Sequence, residues 1–438
     1  MFETLPGFRE FYPEDFARRR ALFNAWTTTL ESCGFQEYDS PVLEPLELYI
    51  EKSGNEIVEQ LFHFVDKGER KVAMRPEMTP SLARMIGKKA NALRRPIKWF
   101  NIGDHFRYER MQKGRTRCFT QLNVDVMGEA GVVADVESVY TLILTCRRLG
   151  LSAEQFYVRL SDRDIWLLAF ESMGVEASLQ ADLLGVIDKY ERMSEEQVAE
   201  AVGKILGERG EAVLKAIREI FAIKSIEAMK AWFGSIEDID PGIREKVEKR
   251  LGEWSELTRS LDELGCSAYY EIDLTIVRGL AYYTGFVFEA FERGKRTRAL
   301  AGGGRYDHLV KKLGGPDVPA VGWAMGDVTM MDCLDANSIE LKSARTEKAF
   351  VVMEAATRKI ACEDIDRLRL AGISVIFSYK KDSGFGKQFK EANQLGCRYA
   401  LIYGTNEVLR SEILIKDLET GTEEPVARAD LVDWLKHW

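Results

Sequence analysis

The stretch FRYERMQKGRTRCFTQ, residues 106–121, concentrates positive charge in a chain whose formal net charge is −9. Its charged residues are one carboxylate, Glu109, and five cations: Arg107, Arg110, Lys113, Arg115 and Arg117. Two β-rich runs flank the basic segment MQKGRTR, which is the pattern of a hairpin with a long loop. On such a hairpin Arg107 and Glu109 share one face of the first strand, and Phe119 and Gln121 lie on the returning strand. A cation, a carboxylate, an aromatic ring and an amide therefore converge.

These side chains match the parts of a nucleotide. An arginine can bind a phosphate, an aromatic ring can stack on a base, and a carboxylate can hold a bridging Mg²⁺ ion. A basic run is also typical of a solvated, positively charged loop, and taken alone the run leaves both interpretations open. The overall acidity does not exclude a phosphate ligand, because affinity depends on where the cations lie.

Helical and extended segments around the hairpin predict a mixed fold. Apolar residues at helical spacing predict a helix over 15–33. Pro41 interrupts the extended run FQEYDSPVLEPLELY, which predicts an edge strand or an exposed interface. Thr79 and the proline after it form a predicted N-cap and first turn of a helix that ends near Lys88.

The remaining sequence predicts a helical insertion and a second domain. Residues 175–262 are charged, helical and poor in strand formers, and strand-like sequence resumes after 265 to complete the first sheet. A polar stretch near 335–346 is typical of a linker, and short β-rich runs alternate with helices beyond it. We expect an α+β domain over 1–335, built on an antiparallel sheet, and a separate α/β domain over 347–438.

Composition limits the class of protein further. The chain has 438 residues, enough for roughly two or three domains, and no run approaches the ~20 apolar residues of a membrane helix. Its first residues lack the basic start and apolar stretch of a signal peptide. Seven scattered cysteines without a C-x-x-C pair, and four histidines, argue against a disulfide framework and a zinc site. We expect a cytoplasmic protein that does not bind a membrane.

Four further stretches stand in order around the hairpin: FQEYDSPVLE, MRPEMTP, VRGLAYYTG and AGGGRYDHL. With the hairpin as motif 2, they resemble motif 1, the amino-acid-binding loop and the two histidine-specific motifs of the histidyl-tRNA synthetase family of class II aminoacyl-tRNA synthetases. The C-terminal block resembles that family's anticodon-binding domain. The likeness covers nearly the whole chain, and the last two motifs are its most specific part.

The resemblance implies a function and a set of roles. It implies ligation of L-histidine to tRNA(His) through a histidyl-adenylate made from ATP with Mg²⁺, by a homodimer whose interface includes motif 1. The implied catalytic cations are Arg107 and Arg278. The implied ATP-binding residues are Arg107, Glu109, Arg115, Arg117 and Phe119, with Glu109 also placing the metal. The implied histidine-binding residues are Glu77, Thr79, Gln121, Asp125, Tyr282, Tyr283 and Tyr306.

Each of these residues also has an ordinary structural explanation. The three tyrosines could be half-buried aromatics of a sheet, and Asp125 alone would be a surface carboxylate. The glycines of AGGGRYDHL could form only a turn, and they do not match the phosphate-binding G-x-G-x-x-G pattern. Their joint occurrence is what favours a binding site.

The chain departs from the family pattern at four positions. In the run GWAMGDVTMM, Thr329 and Val328 stand where motif 3 usually has arginine and glutamate. Ala281 replaces an aspartate inside RGLxYY, and Thr120 replaces a histidine. Members resembling plant organellar enzymes share the RGLAYY and GD patterns, so the chain resembles a divergent branch of the family.

The neutral side chain of Thr329 leaves the charge on the terminal phosphate of ATP to be balanced elsewhere. The motif 2 loop offers Arg115 and Arg117. We expect Arg117 to take this role, because it lies nearer the returning strand and would lose less entropy on ordering.

Two other functions share these motifs. One is a non-catalytic regulatory subunit that partners a histidine-biosynthetic phosphoribosyltransferase and usually lacks the anticodon-binding domain, so residues 347–438 count against it. The other is a tRNA-sensing module of the kind attached to stress kinases, and the sequence contains no kinase segment.

Overall fold

The computed structural model describes residues 2–53, 55–109, 115–278, 282–294, 298–341, 348–380 and 383–437. The chain divides into two compact units, Met1–Ser343 and Ala344–Trp438. All seven cysteines carry free thiols. Within these described ranges, no helix is both long and apolar enough to cross a membrane, and no three or more His, Cys, Asp or Glu side chains are arranged to hold a metal ion.

The strands of the first unit form two sheets. In chain order they are β1 (Gln36–Glu37), β2 (Leu43–Pro45), β3 (His63–Val65), β4 (Lys71–Met74), β5 (Ile97–Phe106), β6 (Cys118–Met127), β7 (Phe156–Asp162), β8 (Tyr270–Ile272), β9 (Thr284–Glu292), β10 (Ala301–Arg305) and β11 (Ala320–Gly326). The larger sheet has the order β1-β5-β6-β11-β10-β9-β7-β8, and the smaller one the order β2-β4-β3. The central pairings of the larger sheet are antiparallel.

Helices cover the larger sheet and fill the segment between β7 and β8. In chain order they are α1 (Pro13–Ser32), α2 (Leu46–Ser53), α3 (Thr79–Lys89), α4 (Val132–Arg148), α5 (Arg163–Ser172), α6 (Ala177–Lys189), α7 (Glu195–Leu206), α8 (Gly210–Phe221), α9 (Ile226–Gly234), α10 (Pro241–Glu263), α11 (Leu309–Lys312) and α12 (Asp327–Ala336). One apolar cluster runs from α1 through the sheet to α10, with Trp26, Trp166 and Trp254 fully buried in it. Each such side chain contributes roughly 2–3 kcal/mol by leaving water.

The β5–β6 hairpin is the element that the sequence predicts best. Each strand has ten residues, and the register runs without interruption from Ile97 opposite Met127 to Phe106 opposite Cys118. Most residues of β6 are buried, so both faces of this strand are packed, and a slip by one residue would exchange its two sets of buried side chains. The hairpin therefore holds its end residues in fixed positions.

Two local predictions near the first sheet need correction. The run LELY, expected to be extended, begins helix α2, because Pro45 ends β2 and the apolar residues after it follow a helical spacing. Thr79 is the first residue of α3 and not its N-cap, which is Met78.

Helix α12 continues to Ala336, just past the predicted domain boundary at 335. Ala281 and the loop tip 110–114 lie outside the described residues.

The second unit is a smaller α/β fold. Its strands are β12 (Ala349–Met353), β13 (Val375–Phe377), β14 (Tyr399–Tyr403), β15 (Glu412–Asp417) and β16 (Glu423–Ala427), and its helices are α13 (Arg358–Leu370), α14 (Phe385–Gln394), α15 (Thr405–Leu409) and α16 (Leu431–Lys436). The sheet order is β13-β12-β14-β15-β16. The first three strands are parallel and the last two antiparallel. The predicted α+β first domain and α/β second domain match this architecture.

Candidate active site

Five strands of the larger sheet start or stop at the same end of the sheet. Gln121 near the start of β6 pairs with Gly103 near the end of β5 and with Gly326 at the end of β11. Ala301 at the start of β10 pairs with Met325 of β11 and with β9 near its end. Antiparallel pairing therefore brings the ends of β5, β9 and β11 next to the starts of β6 and β10.

A cavity of about 1290 Å³ opens at these strand ends. The volume exceeds the ~300–1,000 Å³ of a typical small-ligand pocket, so the cavity has room for more than one substrate. The residues singled out from the sequence that line it are Arg107, Glu109, Arg115, Phe119, Gln121, Arg278, Val328 and Thr329. Asp188 and Arg192 from the helical segment add charged groups to its wall.

Arg107 lies just beyond the end of β5 and is held from two directions. Its backbone N–H donates to the carbonyl of Arg117 at 2.9 Å, which continues the hairpin. Its side-chain Nε donates to the carbonyl of Pro76 at 2.9 Å, and its guanidinium carbon lies 5.2 Å from the ring centroid of Phe119. A fixed cation and a fixed aromatic ring therefore stand side by side in the cavity.

His105 packs against the same phenyl ring. The two ring centroids are 6.0 Å apart and the planes differ by 27°. Burial, together with the cations Arg75 and Arg107, lowers the pKa of His105 to about 3. The imidazole is therefore neutral at physiological pH and supports Phe119 without adding charge to the cavity.

Glu109 and Arg115 face each other at the mouth of the cavity. Arg115 Nη1 and Glu109 Oε2 are 2.7 Å apart, and both side chains are partly exposed. Exposed ion pairs of this kind contribute little to stability, about 0–1 kcal/mol. The pair can therefore exchange partners at low cost when an anionic ligand and a cation enter.

Arg117 contacts the backbone of Glu109, to whose carbonyl its Nε donates at 3.5 Å. Its guanidinium carbon lies 4.2 Å from the ring centroid of Tyr108, and its backbone N–H donates to the carbonyl of Gly7 at 2.9 Å. Gly7 has a positive φ of 86°, and a side chain there would press on the Arg117 side chain. Arg115 is among the described residues that line the cavity and Arg117 is not, so the phosphate-binding role expected for Arg117 stays a prediction.

Arg278 reaches the cavity from the opposite side of the sheet edge. Its Nη1 donates to Glu289 Oε1 at 2.8 Å, and its guanidinium carbon lies 5.3 Å from the ring centroid of Tyr283. The backbone has a φ of +49°, which is unfavourable for a side-chain-bearing residue and is found where surrounding contacts impose it. Arg163 supplies one such contact, since its Nη1 donates to the Arg278 carbonyl at 3.1 Å.

Gly302 makes this position of Arg278 possible. A Cβ atom at Gly302 would overlap Nη1 of Arg278 and press on Cγ of Glu289. The next glycine, Gly303, faces the backbone of β11, so these glycines clear space on both faces of β10. The glycine run is therefore a packing requirement of the site, as well as a sequence motif.

A buried carboxyl lies deeper in the same sheet. Asp125 on β6 accepts a hydrogen bond from the hydroxyl of Tyr306. A side chain at Gly322, its partner on β11, would overlap the Asp125 carboxyl. Burial raises the pKa of Asp125 to about 7, and the Tyr306 hydrogen bond opposes part of that shift. The group can therefore hold or release a proton near neutral pH.

Aromatic rings surround this carboxyl. Tyr282 lies 4.6 Å from Tyr283 and 6.0 Å from Tyr306 between ring centroids. Burial, then Tyr283 and Glu77, raise the pKa of the Tyr282 phenol well above its usual value. Glu77 stands just before α3, which begins at Thr79. The structure thus brings Tyr282, Tyr283, Tyr306 and Asp125 together and places Glu77 close to them.

Tyr38 belongs to this group although the sequence analysis did not single it out. Its hydroxyl is buried and has no hydrogen-bond partner among the described residues. Its ring packs on Trp99, which is paired with Asp125 across β5 and β6. Asp125 raises the pKa of the Tyr38 phenol further, after burial. The signal available in the sequence was only a tyrosine immediately after β1.

Thr120, one of the departures from the family pattern, contacts the start of α12. The backbone N–H of Thr120 donates to Asp327 Oδ1 at 3.1 Å. Asp327 is 2% exposed and also binds Arg9, with Nη2 and Oδ2 2.8 Å apart. Arg19 of α1 donates to the Thr120 hydroxyl and lies 3.9 Å from Asp327. Motif 3 is thereby anchored to the N-terminal segment, and Thr329 is left facing the cavity.

Comparison with known proteins identifies relatives of the whole chain. Residues 7–328 match the protein family described as "Histidyl-tRNA synthetase", and residues 347–438 match the "Anticodon binding domain" family. A "Histidine--tRNA ligase" of Opitutus terrae is 46% identical over 428 residues, which cover 98% of this chain and 96% of that protein. The chloroplastic and mitochondrial "Histidine--tRNA ligase" of Arabidopsis thaliana is 33% identical over 97% of this chain and 85% of its own length.

Solved structures agree with these matches. Histidyl-tRNA synthetase from Nostoc sp. PCC 7120 superimposes with a TM-score of 0.78 and 25% identity, covering 100% of this chain and 99% of that one. A protein from Bacillus halodurans described as an ATP phosphoribosyltransferase regulatory subunit/histidyl-tRNA synthetase has a TM-score of 0.72 over 92% of this chain and 99% of its own. It is 22% identical and therefore supports the fold alone.

We expect Gly302→Ala to displace Arg278 while leaving the fold intact. The new methyl group meets the far end of a flexible side chain, which can move away, but then loses its place in the cavity. The ATP-dependent activation predicted from the sequence should fall about 10²-fold, as expected for loss of a positioned cation. Gly252→Ala in α10 is the matched control, because its methyl group meets no atom within 4 Å. A Gly302→Ala protein with full activity would contradict the packing argument.

We expect Asp125→Asn to change how stability depends on pH. The folded protein holds the Asp125 proton up to about pH 7, whereas the unfolded chain releases it near pH 4. Wild-type stability should therefore decline between these values, and the asparagine variant should lack that decline. The free energy of unfolding can be measured for both proteins in urea. Between pH 5 and pH 8 the difference in this free energy should shift in favour of the variant by roughly 2 kcal/mol. Asp182→Asn, at an exposed position of α6, should leave the pH profile unchanged.

Proposed function

Because the chain belongs to the histidyl-tRNA synthetase family, we propose that it ligates L-histidine to tRNA(His) through a histidyl-adenylate formed from ATP. The observation that carries the proposal is the adjacency of two unlike regions on one sheet. A cavity rich in arginine lies at the strand ends, and the buried pair of Asp125 and Tyr306 lies behind it. The first suits a triphosphate and the second an imidazole.

Formation of the adenylate needs cations in position and no proton transfer. The histidine carboxylate attacks the α-phosphorus, and pyrophosphate leaves along the opposite direction. Arg107 and Arg278 approach the cavity from different strands, so they can stabilise the charge on the α-phosphate from two sides. Positioning and electrostatic stabilisation of this kind account for most of the catalysis in phosphoryl and nucleotidyl transfer.

A magnesium ion fits the residues present. Mg²⁺ is usually held by one or two carboxylates together with the phosphates of the substrate, and Glu109 places a carboxylate in the cavity beside Arg115. Glu109 would hold the ion, which neutralises phosphate charge when bound. Arg115 would then turn from Glu109 to a phosphate oxygen. Phe119, fixed by His105, would support the adenine ring.

The amino acid is recognised by its ring nitrogens. A neutral imidazole has one N–H donor and one acceptor, which Asp125 and a tyrosine hydroxyl can satisfy. An amino acid without these groups would leave the buried carboxyl and hydroxyl unpaired, which excludes it by roughly 10⁴-fold. We assign the α-amino group to Glu77 and Thr79, and Gln121, which lines the cavity, to a further contact with the amino acid.

The alternative functions are less well supported. The curated relative of Opitutus terrae, a histidine–tRNA ligase, matches nearly the full length of this chain. The chain also retains the anticodon-binding region at 347–438, which a regulatory subunit usually lacks. Departures at Thr120, Val328 and Thr329 do not remove the arginines around the α-phosphate, so they do not favour a non-catalytic protein.

We further propose a homodimer in which the smaller sheet takes part. Strands β2 and β3 are the two edges of that sheet, and they expose Val42, Leu43, Phe64 and Val65, of which Val65 is 62% exposed. Neighbouring apolar side chains of this size on a sheet edge are typical of an interface. A cytoplasmic location, where thiols stay reduced, accords with the seven free cysteines.

The direct test is ATP–pyrophosphate exchange with each amino acid in turn. Histidine alone should support exchange, by a margin of about 10⁴ over other amino acids. Arg278→Ala should lower kcat more than it raises KM, because the cation acts on the transition state. Arg244→Ala, at an exposed position of α10, is the control. Exchange that fails with histidine, or that another amino acid supports equally, would refute the proposal.

The second unit allows a separate prediction about tRNA binding. Tyr379 is 90% exposed, beside Phe377 at the end of edge strand β13. Exposed aromatic rings stack on unpaired bases of RNA, at about 1–3 kcal/mol per base. Tyr379→Ala should raise the KM for tRNA about ten-fold and leave pyrophosphate exchange unchanged. Leu409→Ala, also highly exposed in this unit, is the control, and a tRNA KM unaffected by Tyr379→Ala would exclude this contact.

A further inference from the structure

The cavity lacks a cation at the end of motif 3. Thr329 lines the cavity and its hydroxyl donates to the carbonyl of Gly326 at 3.3 Å, so it is both neutral and engaged with its own helix. Pyrophosphate carries more negative charge as it leaves than it did within ATP. Some other group must balance that charge, and Arg117 is engaged by the Tyr108 ring and by the Glu109 carbonyl.

Strand register brings Arg298 beside Val328 and Thr329, at the end of motif 3. Ala301, at the start of β10, pairs with Met325 near the end of β11. Arg298 precedes Ala301 by three positions, and Val328 follows Met325 by three, so the two segments leave the sheet side by side. Arg298 and Thr329 both line the cavity. The start of β10 is firmly placed, because the backbone N–H of Leu300 donates to the carbonyl of Ala290 at 2.8 Å.

The charges around Arg298 favour a multivalent anion. Burial, followed by repulsion from Arg115, lowers its pKa, and Arg107 and Arg192 act in the same direction. Glu109 opposes the shift, but Arg115 already lies 2.7 Å from that carboxylate. Like charges crowded in this way bind an anion that meets several of them at once.

We propose that Arg298 binds the terminal phosphates of ATP and stabilises the departing pyrophosphate, in the role that Thr329 cannot fill. The inference rests on the proposed adenylation. In that step a bond forms between a histidine carboxylate oxygen and the α-phosphorus, and the bond from this phosphorus to the bridging oxygen breaks. The electron pair stays on pyrophosphate, where the guanidinium of Arg298 meets it as a cation, and no proton is exchanged.

The test separates the terminal phosphates from the rest of the substrate. Arg298→Gln should raise the KM for ATP and the KM for pyrophosphate by at least about ten-fold each. Its affinity for a non-hydrolysable sulfamoyl analogue of histidyl-adenylate, which has no terminal phosphates, should change less than two-fold. Arg298→Lys should retain part of the wild-type affinity, and Lys230→Gln, at an exposed position of α9, is the control. Adding Thr329→Arg to Arg298→Gln should restore part of the exchange.

Two results would overturn the inference. One is an Arg298→Gln enzyme with wild-type KM values for ATP and pyrophosphate, including one that is impaired only in charging tRNA. The other is an equal loss of affinity for the adenylate analogue, which would place the effect elsewhere in the cavity. A wild-type enzyme without exchange would refute the proposed function instead. In that case, calorimetric titration of pyrophosphate into the wild-type and Arg298→Gln proteins still tests the role of Arg298.

Discussion

The guanidinium of Arg278 occupies the space that a side chain at Gly302 would need, and the layout of the cavity depends on this contact. It requires β10 to lie beside β9, because Gly302 pairs with Glu289 of β9, which accepts a hydrogen bond from the same guanidinium nitrogen. It also requires the positive φ of Arg278, which the folded sheet and Arg163 maintain. A cation placed in this way needs little reorganisation when a phosphate arrives.

Charge and polarity are divided between two depths of the same sheet. At the ends of the strands, arginines from the β5–β6 hairpin and from the segment before β10 line the cavity together with carboxylates such as Glu109 and Glu289. Further in, burial raises the pKa of Asp125 to about 7, and tyrosines lie beside it. Gln121 and Asp125 are four positions apart on β6 and therefore share one face of the strand. Position along one strand is thus sufficient to separate a region suited to a charged substrate group from one suited to a polar ring.

The sequence predicted the elements better than their contacts. The β5–β6 hairpin, α1 and the alternating second unit follow from periodicity, which is a local property. The helix after Pro45 was missed, because the helical spacing of its apolar residues extends over only eight residues and was included in the extended run before it. The preference for Arg117 over Arg115 came from distance along the chain, whereas Gly7 and Tyr108, which hold Arg117, are brought there by tertiary folding. Arg298 and Tyr38 were not singled out for the same reason. Arg298 lines the cavity and Tyr38 packs on Trp99 only through contacts between segments that are distant in the sequence.

The Asp327 cluster links the start of motif 3 to the N-terminal segment. Asp327, Thr120, Arg9 and Arg19 come from three separate stretches of chain and share one buried hydrogen-bonded group. Removing the guanidinium of Arg9 would leave the buried Asp327 carboxylate less well paired, and such losses cost about 3–5 kcal/mol. Residues that share a hydrogen-bonded group have effects on stability that do not add. The start of motif 3 is therefore coupled energetically to the N-terminal segment, although Arg9 and Asp327 lie 318 positions apart in the chain.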